Sequence, residues 1–253
     1  METIHVVAAT NDDYALHLAV MLNSLLENKF SENPIQIYIL DGGNLSVDSK
    51  AKLEKSLQRF DVKPQFILVD ASLYSGCLIN RYYSMEMYFR LSIPDLLDHG
   101  IQKALYLDCD LIIEEDITIL WNNNIDDYVV GAVFDPNELR REQLSIPKEY
   151  GYFNSGVLLI NINKWTENDI LEKVKQFISD HPSALKYPDQ DALNVILHDK
   201  WLRLEDKWNV RANRLNKTDI ILAIIHFTGK TKPWNGKPPG KSAYLKYLDN
   251  TQW

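Results

Sequence analysis

The sequence predicts an α/β fold, a single domain built around a mixed, mostly parallel β-sheet. Runs of β-forming apolar residues alternate with stretches of helical period, beginning with Ile4 to Ala9 and then Tyr14 to Leu26. Such alternation is what parallel strands joined by helical crossovers require. The 253 residues are 45% hydrophobic and 25% charged, the make-up of an ordinary globular chain able to bury one large core. No linker argues for a second domain.

Ile4 to Ala9 reads as the first strand, and Tyr14 to Leu26 as a helix with Leu18, Met21, Leu22 and Leu25 on its inner stripe. Between them lies Thr10-Asn11-Asp12-Asp13-Tyr14, whose short polar side chains suit a helix cap. A strand-to-helix turn is also where open α/β sheets take ligands, and Asn11 and Tyr14 could bond to and stack on a nucleotide base. Neither a G-x-G-x-x-G nor a G-x-x-x-x-G-K-[ST] motif is present, so the usual dinucleotide and P-loop grips are excluded. Ile35 to Leu40 and Gln65 to Val69 read as further strands around a helix from Ser46 to Phe60, with Leu53 and Leu57 inward. Ser84 to Leu91 looks helical and carries Arg90, either a surface charge or a phosphate grip facing the next strand.

The centre of the sequence is Lys103 to Glu115, KALYLDCDLIIEE. Leu105 to Leu107 and Leu111 to Ile113 are apolar strand runs, and the D-x-D triplet Asp108-Cys109-Asp110 lies between them. In an extended chain the two carboxylates share a face while Cys109 points away. They would then reach one hard cation, Mg²⁺ or Mn²⁺ by their oxygen chemistry, with diphosphate and water completing its shell. The alternative is a polar turn that merely separates two strands.

Val129 to Phe134 is a strand ending at Asp135, followed by a polar loop from Pro136 to Tyr152. Gly156 to Ile160 is another strand, and Asn154 at its entry suits either a turn or a sugar-hydroxyl contact. Lys164 to Ser179 has the period of an amphipathic helix. Tyr187 to Asn194 opens one more helix, where Asp189 suits an N-cap and Asp191 the positive helix end, leaving Gln190 unexplained. The last strand, Ile220 to Phe227, delivers His226-Phe227-Thr228-Gly229-Lys230-Thr231-Lys232-Pro233-Trp234. Gly229 permits close backbone approach, and Lys230 or Lys232 can meet a diphosphate. His226 would add nitrogen to two carboxylates, a set that favours Mn²⁺ over Mg²⁺.

A net charge of -8 opposes a general nucleic-acid surface, so anionic ligands must be gripped locally. The chain has no apolar run long enough to span a bilayer, and METIHVVAAT lacks the basic region and cleavage site of a signal peptide. The expected location is the cytoplasm. Cys77 and Cys109 are too few for a disulfide framework or a structural zinc site, and both are expected as reduced thiols.

Five segments occur in an order that resembles the family-8 glycosyltransferases: Thr10 to Tyr14, Leu105 to Asp110, Tyr152-Phe153-Asn154-Ser155-Gly156-Val157, Asp189 to Asn194, and His226 to Trp234. The resemblance is to the bacterial lipopolysaccharide galactosyl- and glucosyltransferases, and in the Thr-Asn-Asp-x-Tyr opening to glycogenin. It implies a GT-A fold, a single Rossmann-like nucleotide-binding domain, with a nucleotide-sugar part over about 1–115, an acceptor-side part over about 116–234 and a short tail over 235–253. It implies a retaining hexosyltransferase that moves glucose or galactose from a UDP-sugar to a glycan, glycolipid or glycoprotein.

Carried over by position, Ala8, Ala9, Thr10, Asn11 and Tyr14 would hold uridine, and Asp108, Cys109 and Asp110 would belong to the cofactor-binding set. Asp108, Asp110 and His226 would ligate Mn²⁺, and Gly229 and Lys232 would contact diphosphate. Arg90, Asp135, Asn154, Asp189 and Gln190 would line the donor sugar, with Gln190 on its reactive face. An amide is a poor nucleophile, which favours front-side attack over a covalent intermediate. Asn11 departs from the Asp of many bacterial members, and the chain stops soon after Tyr244-Leu245-Lys246-Tyr247 where those members often carry a basic, aromatic tail. That departure argues against peripheral contact with the inner face of the membrane. Two other readings are a sugar-nucleotide nucleotidyltransferase, although its basic Gly-rich loop is missing, and a non-catalytic UDP-sugar-binding module.

Overall fold

The computed structural model describes residues 1–78, 84–217 and 222–253, with 216 and 217 in backbone only. Strands β1 (Ile4–Ala9), β2 (Ile35–Asp41), β3 (Gln65–Leu68), β4 (Lys103–Leu107), β6 (Val130–Phe134), β7 (Phe153–Asn161) and β8 (Trp201–Leu204) form a seven-stranded sheet in the order β3-β2-β1-β4-β7-β6-β8. Only β7 runs against its neighbours β4 and β6; the other pairs are parallel. The sheet therefore takes strands from both sides of residue 115. A second sheet joins β5 (Leu111–Ile113), β9 (Val210–Arg211) and β10 (Ile224–His226) in the order β5-β10-β9.

The central strands are apolar on both faces because helices cover both. One core cluster packs α1 (Ala15–Glu27), α2 (Val47–Leu57) and α4 (Ile117–Trp121) on one face. On the other lie α3 (Ile93–Leu96), α6 (Ile162–Glu167), α7 (Ile170–Asp180) and α8 (Pro188–Leu197). Leu18, Met21, Leu22, Leu25, Leu53 and Leu57 are all fully buried, as their helical spacing predicts. Burial on both faces is also why β1 and β4 read as continuous apolar runs rather than alternating ones.

Several elements differ from expectation. The amphipathic stretch 164–179 is two helices, broken where Asp169 takes a left-handed φ of 51° without a glycine or proline to announce it. The region of Arg90 is a 3₁₀ run, Met85–Ser92, leading into α3. The loop expected over 136–152 holds α5 (Glu138–Gln143), capped by the Asn137 side chain accepting from the Arg140 amide. The tail over 235–253 carries α9 (Lys241–Asn250), whose Tyr244 and Tyr247 are buried in a third cluster with Val20 of α1. The last strand is shorter than Ile220 to Phe227, and 220 and 221 lie outside the described residues. Both cysteines are free thiols.

Two features of the sheets place the functional loops. Pairing between β6 and β7 slips after Ala132, so that Val133 faces Asn154 and Ser155 to Val157 have no partner on β6. Irregularities of this kind turn a strand toward a site. On the other edge of β7 the β4 ladder carries on past Leu107, and the Gly156 carbonyl accepts the Asp108 amide at 2.9 Å. The small sheet pairs His226 with Leu111, and the Phe227 amide donates to the Asp110 carbonyl at 3.0 Å, so the end of the chain is laid directly over the D-x-D turn.

Candidate active site

A cleft of about 490 Å³ opens beyond the carboxyl ends of β1 and β4, the place where open α/β sheets bind ligands. The candidate residues named from sequence line it except Lys230 and Ala8, the latter fully buried within β1 opposite Ile39. The chain does not stay extended through the triplet: it turns at Cys109 and Asp110, and this turn rather than strand pleat gathers the carboxylates. Cys109 points inward as expected, its Sγ donating to the Ala9 carbonyl at 2.9 Å, and burial pushes its thiol well up. It thus contributes backbone shape, tying the D-x-D turn to β1.

Asp108, Asp110 and His226 present ligand atoms that all lie within 4.8 Å of one another. His226 Nε2 is 3.2 Å from Asp110 Oδ1 and 3.7 Å from Asp108 Oδ2. Beneath them lies Gly156, where a Cβ would sit 2.3 Å from His226 Cε1 and 2.6 Å from Asp108 Oδ2, so a side chain there is sterically barred. Two carboxylates and one imidazole match the donor chemistry of Mn²⁺ and of similar divalent ions. The Lys232 ammonium bonds to Asp110 Oδ2 and to the Phe227 carbonyl, supplying positive charge where the acids converge. Burial would raise Asp110, but the Lys232 ammonium counters it and the carboxyl is held below its usual range.

Arg90 is the pivot of the opposite wall. It is buried, lies 4.4 Å over the Tyr106 ring, and joins Asp108 Oδ1 at 3.0 Å to Asp189 Oδ2 at 3.3 Å. Burial alone would lower its guanidinium, yet Asp108, Tyr106 and Asp189 outweigh that and keep it firmly charged. Asp189 is not the N-cap: α8 begins at Tyr187 and Pro188, and the Asp189 carboxylate turns to Arg90 and the Ser155 hydroxyl. Its burial raises its carboxyl despite Arg90. Asp135 is likewise raised by burial, although Arg211 bonds to it.

An amide chain crosses the cleft floor. His226 Nδ1 meets Asn209 Oδ1 at 2.8 Å, Asn209 Nδ2 donates to Asn154 Oδ1 at 2.8 Å, and Asn154 Nδ2 donates to Gln190 Oε1 at 2.8 Å. Gln190 Nε2 then donates to the Tyr152 hydroxyl at 2.9 Å.

At the far end, Asn11 Oδ1 accepts the Tyr14 amide at 3.2 Å, and Thr10 is buried, so the short polar residues do form the turn. Tyr14 packs edge-on against Trp234, which stacks 3.5 Å from His17; His17 in turn meets the Tyr244 hydroxyl at 2.8 Å. Gly229, at φ 85°, supplies the left-handed turn that carries the chain from His226 to Lys232.

Sequence reasoning missed Glu86, Arg211, Asn213 and Asn209. Glu86 is a buried carboxylate on the cleft, held by Asn44 Nδ2 at 2.6 Å. Arg211 and Asn213 also line the cleft. None belongs to a motif; the one available signal was an apolar pair, Trp208 and Val210, alternating with Asn209 and Arg211.

The profile of Glycosyl transferase family 8 matches residues 5–237. General stress protein A of Bacillus subtilis strain 168 is 36% identical across all of this chain and 95% of its own length. A lipopolysaccharide 1,2-glucosyltransferase of Escherichia coli K12 is 32% identical over 68% of this chain and 56% of its own. The galactosyltransferase LgtC, solved with donor and acceptor sugar analogs, superposes with a TM-score of 0.89 at 25% identity, covering 99% of this chain and 97% of that one. The order of strands around the D-x-D turn is thus that of a GT-A fold, and the chain belongs to glycosyltransferase family 8.

Proposed function

We propose that the protein transfers a hexose, glucose or galactose, from a UDP-sugar to a glycan or glycoconjugate acceptor, with retention of configuration and in dependence on Mn²⁺. The observation that carries this reading is the convergence of Asp108, Asp110 and His226 on one point of the cleft. Its resemblance to a lipopolysaccharide glucosyltransferase and to a galactosyltransferase supports a hexose donor and a lipopolysaccharide-type acceptor. Among the described residues no helix is long and apolar enough to cross a membrane.

Asp108, Asp110 and His226 would hold the cation. When bound, it would neutralise charge that grows on the departing diphosphate. Lys232, bonded to Asp110, would add a second positive charge beside that leaving group. Tyr14, Asn11 and the backbone of Ala9 and Thr10 form the wall for uridine. Arg90 keeps Asp108 and Asp189 a fixed distance apart and so shapes the donor-sugar floor, with Asp135 and Asn154 across from it.

Gln190 decides the route to retention. Its Oε1 already accepts from Asn154 Nδ2 at 2.8 Å and from the Ser155 amide at 3.1 Å, so both lone pairs are engaged. An amide oxygen so occupied is a still poorer nucleophile. The acceptor hydroxyl then attacks from the face the diphosphate leaves. The bond from the anomeric carbon to diphosphate breaks as the acceptor bond forms, and the acceptor proton passes to the departing phosphate oxygen.

The test is a screen of UDP-sugars for hydrolysis and transfer with Mn²⁺ or with EDTA. The reading requires turnover of a UDP-hexose with Mn²⁺ and none in EDTA. Pyrophosphate release from UTP and a sugar phosphate would point instead to a nucleotidyltransferase. UDP binding by calorimetry without turnover of any UDP-hexose would leave only a binding module.

A further inference from the structure

We infer that Asn209 is a positioning residue. Working through Asn154, it holds His226 in a single tautomer, with the proton on Nδ1 and the Nε2 lone pair turned toward the two D-x-D carboxylates. The inference rests on the proposed metal site for its consequence but not for its geometry.

Side-chain amides can usually be turned end for end, so the direction of a hydrogen bond between two of them is open. Here two backbone amides remove that freedom. The Gly156 N–H can only donate, and it lies 3.0 Å from Asn154, so the Asn154 atom there is Oδ1. The Ser155 N–H likewise fixes the facing Gln190 atom as Oε1 at 3.1 Å, which demands that Asn154 present its NH₂ to Gln190, as it does at 2.8 Å. Both ends of Asn154 are therefore assigned.

An oxygen at Asn154 Oδ1 requires a donor from Asn209, so the Asn209 atom 2.8 Å away is Nδ2. Its remaining atom, Oδ1, then faces His226 Nδ1 at 2.8 Å and can only accept. Nδ1 must carry the hydrogen. In the neutral ring Nε2 is then an acceptor, and what it meets are Asp110 Oδ1 at 3.2 Å and Asp108 Oδ2 at 3.7 Å, also acceptors. Three acceptors that close are arranged for a cation. The opposite tautomer would place a hydrogen among the carboxylates and oppose the Asn209 oxygen to a bare lone pair. Asn209 and His226 are both buried, at 6% and 3% exposure, so bulk water does not readily substitute for this bond.

Partners that orient a ligating imidazole typically contribute about ten- to a hundredfold in metal affinity. Two measurements on the full chain test the role. Imidazole ¹⁵N spectra of the metal-free protein, at a pH where the ring is neutral, read the His226 tautomer without any metal. Binding of Mn²⁺ alone, followed by electron paramagnetic resonance, reads the consequence. The wild type is expected to show Nδ1–H. Asn209→Ala is expected to populate Nε2–H and to bind Mn²⁺ about ten- to a hundredfold more weakly. Asn209→Asp keeps an acceptor for Nδ1–H but no donor for Asn154, and should retain the tautomer and an affinity within a few-fold of wild type. An Nε2–H ring in the wild type overturns the inference, and that spectrum needs no variant to fold. So does an Asn209→Ala protein with tautomer and Mn²⁺ affinity both unchanged. A wild type with Nδ1–H that binds no Mn²⁺ would uphold the positioning role while removing the metal reading.

Discussion

Two pairs of acids stand at the same spacing in this chain, Asp108 with Asp110 and Asp189 with Asp191, and the fold uses them in opposite ways. Asp108 and Asp110 aim oxygens at one point and meet an imidazole there. Asp191 is fully buried and saturated: it takes Arg140 Nε at 2.8 Å and a second bond from Nη2, the Tyr152 hydroxyl at 2.6 Å, and the Lys186 and Tyr187 amides at 2.7 Å each. Those two amides precede α8, whose N-cap Tyr187 makes no side-chain cap bond, so Asp191 ties down the entry to the helix and neither acid is its N-cap. A carboxylate with all its lone pairs engaged is structure; one that shares a focus with other acceptors is a site.

That contrast can be broken most severely at Asp110. Asp110→Ala removes one corner of the triad, and turnover with Mn²⁺ should fall by about a hundredfold or more, while the denaturation midpoint stays close to wild type. Full activity of this variant in EDTA would place both acid pairs in the structural class. Asp191→Ala should do the reverse. It strands the Arg140 guanidinium, and losing one partner of a buried pair costs about 3–5 kcal/mol, read as a lower midpoint in urea. A stable Asp191→Ala protein with altered donor KM would show that the second pair is not mere scaffold.

Lys232 offers a finer comparison, because it neutralises Asp110 through one flexible ammonium whereas Arg140 grips Asp191 by a fork. Lys232→Met should leave stability nearly unchanged and raise the KM for a UDP-sugar about tenfold, a loss of about 1.4 kcal/mol in donor binding. A pH-dependent effect on stability, rather than on donor binding, is expected beside it at His17. Burial lowers this ring from 6.5 to about 4, with Asp110 raising it and Lys232 lowering it by less. The unfolded chain therefore binds the proton first. Stability from His17 is complete above about 6.5 and is lost as pH falls toward 4. The Tm of wild type should drop over that window by a few degrees more than that of His17→Phe.

Strands β1, β2, β4 and β7 were legible because a strand buried on both faces writes itself as an apolar run, and the inner stripes of α1 and α2 because helical spacing does the same. The D-x-D and His226 were legible as chemistry, but their convergence depends on the short antiparallel pairing of β5 with β10, which no local pattern encodes. Asn209 and Arg211 were illegible for a related reason. Their importance comes from partners 17 to 76 residues away, such as His226, Asn154 and Asp135. The break at Asp169 was hidden because the apolar stripe continues on both sides of it, from Trp165 to Ile170 and Val174.

His226 and Lys232 reach the cleft only through β10 and the segment after it, whereas the acids they meet are laid down at β4. During synthesis, a ribosome-bound chain that has emerged only as far as α8 already possesses Asp108, Asp110 and Gln190 but has no third corner and no lysine clamp. The triad is thus complete only after β10 has folded back over the D-x-D turn, a long-range closure that comes late in vectorial folding.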